Sequence, residues 1–232
     1  MTKQTIFSLM KIISCEKRAE QVLDGQLYCN TISFMREQFD EYEGTVPLPG
    51  TLRIEDFTIP KEDLAEPPLL MPKLVSDLNV FCMFCWAAPN VGGDNILFDP
   101  VSQLGSIRTL VETFGEHTVV IKNVTEFFRR VDKAAAHPHS GALGRTRGIV
   151  TYSEPSPGEA PPTTPSALLS VALRKRKRFA NEKEYRFVYL TGRDPAGPFI
   201  LNVGDIRDIA FRMRTQEVYE RAEMNGRPLS DY

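Results

Sequence analysis

Nine nearly continuous apolar residues, Leu78 to Trp86, constrain the fold of this chain more than any other stretch. A strand that is covered on both faces has this composition, because both sets of alternating side chains must then be apolar. A run of nine residues also fits a buried helix, and periodicity alone does not separate the two. We interpret 78–86 as a central strand around which the remaining elements are arranged.

The segments on either side of this stretch are predicted to form strands and helices without a regular strand–helix–strand alternation. Apolar, β-favouring residues at 5–12 and alternating residues at 184–190 predict strands. A helix is predicted over 126–136 with Thr125 as its N-cap, and Gly25 fits the C′ position of a first helix. The pattern predicts an α+β fold with a mainly antiparallel, mixed sheet and flanking helices.

Two proline-containing stretches interrupt what we predict to be a single domain, 1–232. The stretch 36–73 is predicted to be an irregular acidic insertion, because residues 36–66 include nine acidic and three basic side chains and prolines recur along it. The stretch 154–165 contains five prolines and is predicted to be an exposed, mobile loop. The whole chain has 28 basic and 30 acidic side chains, so its net charge favours neither a nucleic-acid nor a membrane partner.

The four cysteines do not form the pattern of a disulfide framework in a chain of 232 residues. Cys82 and Cys85 have a zinc-type spacing, but strand residues three apart point to opposite faces, so we expect buried thiols and no metal site. No apolar run approaches the ~20 residues of a membrane span, and no signal peptide is recognised. These features predict a cytoplasmic protein without a membrane partner.

The segment 174–190 is the most informative one for chemistry. Glu182, Glu184 and Arg186 share one face if the strand extends from 182, while the aromatic residues between them face the core. Two carboxylates and a guanidinium on one face can hold a ribose hydroxyl and stabilise positive charge at a sugar carbon, which makes Arg186 a candidate nucleotide-binding residue. The alternative is a solvated glutamate–arginine pair that contributes little.

A run of basic residues precedes this strand and is the strongest charge feature of the chain. The run consists of Arg174, Lys175, Arg176, Lys177 and Arg178. Such a run can neutralise nucleic-acid phosphates or hold the pyrophosphate of a dinucleotide. It can equally be solvated, or pair with the acidic residues of 36–66. Because no recognised nucleic-acid-binding motif accompanies it, a nucleic-acid partner is an alternative and not the first interpretation.

Several of these motifs together resemble a family of small bacterial and phage proteins of unknown function. The resemblance is carried by Leu9-Met10-Lys11, by Leu-Asp-Gly-Gln-Leu-Tyr-Cys-Asn at 23–30, and by Phe-x-x-Glu-x-Glu-Tyr-Arg at 179–186. That family is in turn distantly similar to the ADP-ribosyltransferase fold, so the resemblance implies a split sheet of that type.

The resemblance also implies NAD as a substrate and assigns roles to individual residues. Lys11 would contact NAD from the first strand, and Thr31 or Ser33 would contact it from the second. Glu184 would be the catalytic carboxylate at the nicotinamide ribose, and Glu182 would orient the acceptor. A carboxylate beside the ribose hydroxyl stabilises the oxocarbenium-like state through which this bond breaks.

The function implied by the resemblance is ADP-ribosyl transfer to a host protein, or hydrolysis of NAD, in conflict between phage and bacterium. The alternative is a non-catalytic phage or bacterial protein that binds and inhibits a host or defence protein. In that case the acidic stretch and the proline-rich loop would be the interaction surfaces. A third possibility is nucleic-acid binding through residues 174–178.

Overall fold

The structure, a computed structural model, has one large sheet with helices on both of its faces. It describes residues 4–38, 40–47, 52–54, 57–59, 69–70, 72–89, 111–154, 164–193 and 195–225. The helices in these ranges are α1 Glu16–Leu23, α2 Ile32–Gln38, α3 Lys73–Ser76, α4 Val124–Ala136, α5 Pro165–Val171 and α6 Thr215–Asn225, with 3-10 helices at Pro138–Ser140 and Lys177–Glu182 and a helical turn at 111–114.

The strands in the same ranges are β1 Gln4–Ile13, β2 Gln26–Thr31, β3 Val46–Pro47, β4 Leu52–Ile54, β5 Phe57–Ile59, β6 Leu69–Leu70, β7 Asn79–Pro89, β8 His117–Ile121, β9 Gly144–Ile149, β10 Thr151–Tyr152, β11 Arg174–Lys175, β12 Glu184–Leu190, β13 Phe199–Asn202 and β14 Ala210–Arg214. Eight of them form the large sheet in the order β13-β2-β7-β1-β8-β14, with β12 between β7 and β9. All ladders of this sheet are antiparallel, whereas β10 and β11 pair in parallel outside it. The predicted α+β class with a mainly antiparallel sheet is confirmed.

The apolar stretch identified in the sequence is strand β7, and it is central to the sheet. One edge of β7 pairs with β12 through residues 79–84. The other edge pairs with β2 at residues 79–80 and with β1 from residue 84 onwards. The first two strands therefore separate along one edge of β7 and leave residues 81–83 of that edge between them.

The apolar side chains of β7 alternate between two cores, as a strand covered on both faces requires. On one face Phe81 packs with Phe187 of β12 and Phe127 of α4, and the rings of Phe127 and Phe187 meet edge to face with centroids 5.8 Å apart. On the other face Trp86 packs beneath α6, and Val80 packs near α3 and α5. The aromatic residues of β12 face the first core, as the alternation predicted.

Some of the predicted element boundaries are wrong by a few residues. Helix α4 begins at Val124, because the Asn123 side chain accepts a hydrogen bond from the Glu126 N–H at 3.0 Å, so Asn123 and not Thr125 is the N-cap. The end of α1 is as predicted, since Gly25 has φ of +80°, in the left-handed region that glycine adopts without steric cost.

Parts of the two proline-containing stretches lie outside the described residues. Residues 155–163 of the predicted mobile loop are among these, as is most of the acidic stretch between 48 and 71. The described pieces of the acidic stretch form two short antiparallel pairs, β3 with β6 and β4 with β5. No helix in the described part of the chain has the length and apolar character needed to cross a membrane.

Candidate functional site

The best-defined polar site is a cluster of charged side chains at the start of β12. Glu184 and Arg186 extend from the same face of that strand, and Arg186 Nε donates a hydrogen bond to Glu184 Oε2 at 2.6 Å. Both residues are buried, with 8% and 1% of their surface exposed. A buried ion pair is tolerated only when further groups satisfy its remaining polar atoms, and here those groups come from other segments of the chain.

Lys175, in β11, bridges the two carboxyl groups of the sequence motif. Its Nζ donates to Glu184 Oε1 at 2.9 Å and to Glu182 Oε2 at 2.5 Å. The same ammonium lies 4.6 Å from the centroid of the Phe179 ring. The structure therefore brings Glu182, Glu184 and Arg186 to one site, together with a lysine from the basic run.

A tight turn places Glu182 and Glu184 on the same lysine. Glu182 ends a 3-10 helix and does not lie in the strand, so extension does not begin at 182. Lys183, between them, has φ of +43° and ψ of +50°, which is the left-handed region that non-glycine residues rarely adopt. The Lys183 carbonyl accepts a hydrogen bond from the Cys85 N–H at 2.7 Å and holds this turn against β7.

Glu43, from the acidic stretch, supplies the second counter-charge of Arg186. Arg186 Nη1 donates to Glu43 Oε1 at 2.6 Å and Nη2 donates to Glu43 Oε2 at 3.3 Å. Arg186 Nη1 also donates to the Ala172 carbonyl at 2.8 Å. The sequence analysis missed Glu43, because one glutamate in a run of acidic residues gives no local signal of burial.

Tyr152 completes the site from the β10 side. Its hydroxyl oxygen accepts a hydrogen bond from the Glu184 backbone N–H at 2.8 Å. Burial, together with the nearby Glu184 carboxylate, raises the pKa of the Tyr152 hydroxyl, so this group stays protonated. The sequence analysis missed Tyr152 as well, since its position depends on the pairing of β9 with β12 and of β10 with β11.

The two bridged carboxyl groups differ in their protonation. Burial, the hydrogen bond with Glu184 and the repulsion by its charge raise the pKa of Glu182 to about 8. Burial opposes ionisation of Glu184 as well, but the adjacent Arg186 and Lys175 cations hold its pKa well below the ordinary value. Near neutral pH, Glu184 is therefore a carboxylate, whereas most Glu182 side chains are protonated. The Glu182 side chain, 17% exposed, is the more accessible of the two.

Lys11 lies apart from these carboxyl groups. Met10 and Glu184 both pair with Phe84, so their side chains share one face, and Lys11 extends from the opposite face. Lys11 Nζ donates to the Cys82 carbonyl at 2.7 Å and lies 5.0 Å from the centroid of the Phe81 ring. It therefore fills the gap on the edge of β7 where β1 and β2 separate.

Thr31 and Ser33 also contact each other and not the carboxyl cluster. Their hydroxyl oxygens are 3.0 Å apart, and Thr31 Oγ1 accepts a hydrogen bond from the Phe34 N–H at 3.2 Å. That contact caps the start of α2, which is a structural task. Of the predicted NAD-contacting residues, the structure thus brings only Arg186 to the two glutamates.

The basic run is largely engaged within the chain, and some of its partners come from residues 40–43 of the acidic stretch. Arg178 Nη2 is 3.3 Å from Asp40 Oδ1, and the Arg176 guanidinium lies 3.7 Å from the centroid of the Tyr42 ring. Lys177 and Arg178 remain exposed at the start of the 3-10 helix that Glu182 ends. Intramolecular pairing with the acidic stretch, one of the alternatives for this run, is therefore observed.

Cys85 is buried and Cys82 is half-buried in strand β7, and loss of hydration raises the pKa of each thiol to about 12. In the described part of the chain, no group of three or more His, Cys, Asp or Glu side chains is placed to hold a metal ion.

Scans against protein-family models, curated proteins and solved structures find no match to this chain. The site consists of the partly exposed Glu182 carboxyl group, the more buried Glu184 carboxyl group and the Lys175 ammonium that donates to both.

Proposed function

We propose that this chain breaks the bond between nicotinamide and ribose in NAD and passes ADP-ribose to water or to a protein acceptor. The observation that carries the proposal is the sharing of Lys175 by Glu182 and Glu184, two carboxyl groups whose pKa values their surroundings shift in opposite directions. In enzymes that use two carboxyl groups, different environments assign them different roles. The setting in phage–bacterium conflict stays a prediction from the resemblance.

In this proposal Glu182 is the general base, because it is the more accessible carboxyl group of the pair. The C1′–N bond breaks, and its electron pair neutralises the positive ring nitrogen of the departing nicotinamide. The oxygen of water or of an acceptor hydroxyl bonds to C1′, and its proton passes to Glu182 in the molecules in which that side chain is ionised, so the rate should rise as the pH approaches 8. A base with a pKa of about 8 is well matched to this task near neutral pH.

Glu184 acts in the proposal as a positioning residue, since its carboxylate is occupied by Lys175 and Arg186. Its negative charge raises the pKa of Glu182, and its ion pairs fix the lysine that Glu182 contacts. This differs from the direct contact with the ribose that the family resemblance implies. The difference has a measurable consequence, because loss of the Glu184 charge should shift the pH dependence of the reaction.

The surface beside Glu182 supports a dinucleotide as the substrate. Lys177 and Arg178 are exposed on the 3-10 helix that ends at Glu182, and such cations are suited to a pyrophosphate. The half-buried rings of Tyr42 and Phe179 both lie near the Arg178 guanidinium, which places aromatic surface for a base or a nicotinamide ring beside one of these cations. The separation of β1 and β2 along β7 is in keeping with a split sheet of the ADP-ribosyltransferase type.

The test is release of nicotinamide from NAD by the wild type and by matched Glu→Gln variants, with and without cell lysate as acceptor. We expect Glu182→Gln to lower the rate by roughly 100-fold or more, the usual contribution of a general base. Glu184→Gln should retain more activity and move the pH profile to lower pH. Glu217→Gln, on the exposed face of α6, is the control and should match the wild type.

Two outcomes would remove this proposal. One is absence of nicotinamide release by the wild type under all acceptor conditions, and the other is equal release by the wild type and Glu182→Gln. The non-catalytic alternative would then be favoured by a stoichiometric partner that survives Glu184→Gln in a pull-down. Nucleic-acid binding would instead require affinity that falls steeply with salt and is lost when residues 174–178 are replaced by serine.

A further inference from the structure

Among the described residues, no strand covers one edge of the large sheet, and this edge lies beside a groove. β13 ends the strand order and, among the described strands, pairs only with β2. Its ladder continues to Val203, whose N–H donates to the Gly25 carbonyl at 2.9 Å. Because backbone hydrogen bonds alternate along an antiparallel strand, the odd-numbered residues of β13 form the hydrogen bonds to β2. The N–H and C=O groups of Ile200 and Asn202 consequently point along the open edge.

The groove has the size and the walls of a peptide-binding site. A cavity of about 610 Å³ separates the β13 edge from the C-terminal half of α4 and the 3-10 turn that follows it. An edge strand that faces a helix across a groove is an arrangement in which a peptide adds as an extra strand. The sequence of β13, Phe-Ile-Leu-Asn, contains neither the proline nor the charge that commonly blocks such an edge.

A strand added at this edge would present its alternating side chains to two different environments. On the α4 side, Lys133 is exposed, and no described residue forms an ion pair with it. Arg129 exposes 63% of its side chain on the same helix while it pairs with Glu126. On the face of the sheet that points away from α4, Ile200 and Tyr28 are cross-strand neighbours, and they expose 48% and 54% of their surface.

We propose that the β13 groove binds an extended peptide in which acidic residues alternate with apolar ones. The main chain of the peptide pairs with Ile200 and Asn202. Its acidic side chains face Lys133 and Arg129, and its apolar side chains cover Ile200 and Tyr28. This site is separate from the carboxyl cluster, and its function does not depend on the proposed NAD chemistry.

The test is binding of fluorescent peptides, capped at both ends, to the full chain by fluorescence anisotropy. The probe is a Val-Glu repeat of three units, and the controls are the matching Val-Lys repeat and a peptide of three valines followed by three glutamates. We expect saturable binding of the alternating acidic peptide alone. Lys133→Glu should weaken it about five-fold, whereas Lys17→Glu, the same change on the exposed face of α1, should leave it unchanged.

A second variant tests the main-chain pairing. Asn202→Pro removes an N–H from the open edge and leaves the bonds to β2 in place, so it should weaken peptide binding about ten-fold. Far-UV circular dichroism checks that this variant folds. If it does not fold, the test is whether Lys133→Glu binds the Val-Lys peptide more tightly than the Val-Glu peptide, as the proposal predicts.

Three results would overturn the proposal: absence of wild-type binding, equal binding of the non-alternating peptide, and unchanged affinity in the variants. A concentration-dependent dimer lost in Asn202→Pro would assign the edge to a second copy of the chain and would also overturn it.

Discussion

Replacement of Glu43 by leucine tests whether the carboxyl cluster is as tightly charge-balanced as its contacts indicate. The change removes both carboxylate oxygens that the Arg186 Nη atoms contact and leaves Nη1 its hydrogen bond to the Ala172 carbonyl. Only 1% of each partner's side chain is exposed. Deletion of one partner of a buried ion pair costs about 3–5 kcal/mol of folding free energy. Partial compensation is available, because Glu182 can release its proton and restore the balance. With a pKa of about 8 for Glu182, that release costs about 1.4 kcal/mol at pH 7.

We therefore expect Glu43→Leu to lower the free energy of unfolding by about 3 kcal/mol, the low end of that range. Urea unfolding at pH 7, followed by circular dichroism, measures this loss. The thermal midpoint should fall by about 6–12 °C in a chain of this size. Glu41→Leu, an exposed neighbour in the same stretch, is the matched control and should change little.

The double variant Glu43→Leu/Arg186→Met separates charge imbalance from lost packing. Removal of both charges leaves the remaining pair, Glu184 with Lys175, in balance. The double variant should accordingly be more stable than Glu43→Leu alone, because an unpaired buried charge costs more than a matched apolar replacement. A loss below about 1 kcal/mol in Glu43→Leu, the range of a surface pair, would refute the reasoning.

Three further predictions follow from single positions. The pKa of Glu182 rises from its ordinary value of 4.5 to about 8 on folding, so the folded chain holds an extra proton between these pH values. The free energy of unfolding should therefore decrease as the pH rises from 4.5 to 8. Urea midpoints should show this decrease in the wild type and a smaller one in Glu182→Gln. Gly25→Ala should lower the free energy of unfolding by at least about 2 kcal/mol in the same assay, since Gly25 has positive φ and an added Cβ would overlap the Gly204 carbonyl; a loss under half of that would contradict the backbone account. Exposed Cys15 should react with a thiol reagent in the native chain, whereas buried Cys29 and Cys85 should react only after denaturation, so fast labelling of Cys29 or Cys85 would be a contrary result.

The sheet was predictable wherever local patterning decides the structure. The apolar run around Phe81 and the aromatic alternation of Tyr185 and Phe187 indicate which strands are covered and which face is apolar. These features depend on periodicity, which the sequence displays directly. The N-cap of α4 was misassigned because Asn123 and Thr125 are both good capping residues, and only the backbone geometry selects between them.

The candidate site was predictable only in part, because its contacts join distant segments. The motif indicated Glu182 and Glu184, but the left-handed backbone conformation of Lys183 between them cannot be predicted from the sequence. Glu43 and Arg186 are 143 residues apart in the sequence, so no local pattern predicts their ion pair. The position of Lys11 depends on where β1 stops pairing with β7, and strand register of this kind is set by the assembled sheet.

Titration of the glutamate carboxyl carbons by NMR tests the central claim most directly. Signals of Glu182 and Glu184 are assigned by their loss in the two Glu→Gln variants. We predict that the Glu182 carbon shifts with a midpoint of about 8, while the Glu184 carbon still reports a carboxylate below pH 4.5. A Glu182 midpoint near 4.5, the ordinary value for glutamate, would contradict the shared-lysine site and the acid–base role built on it.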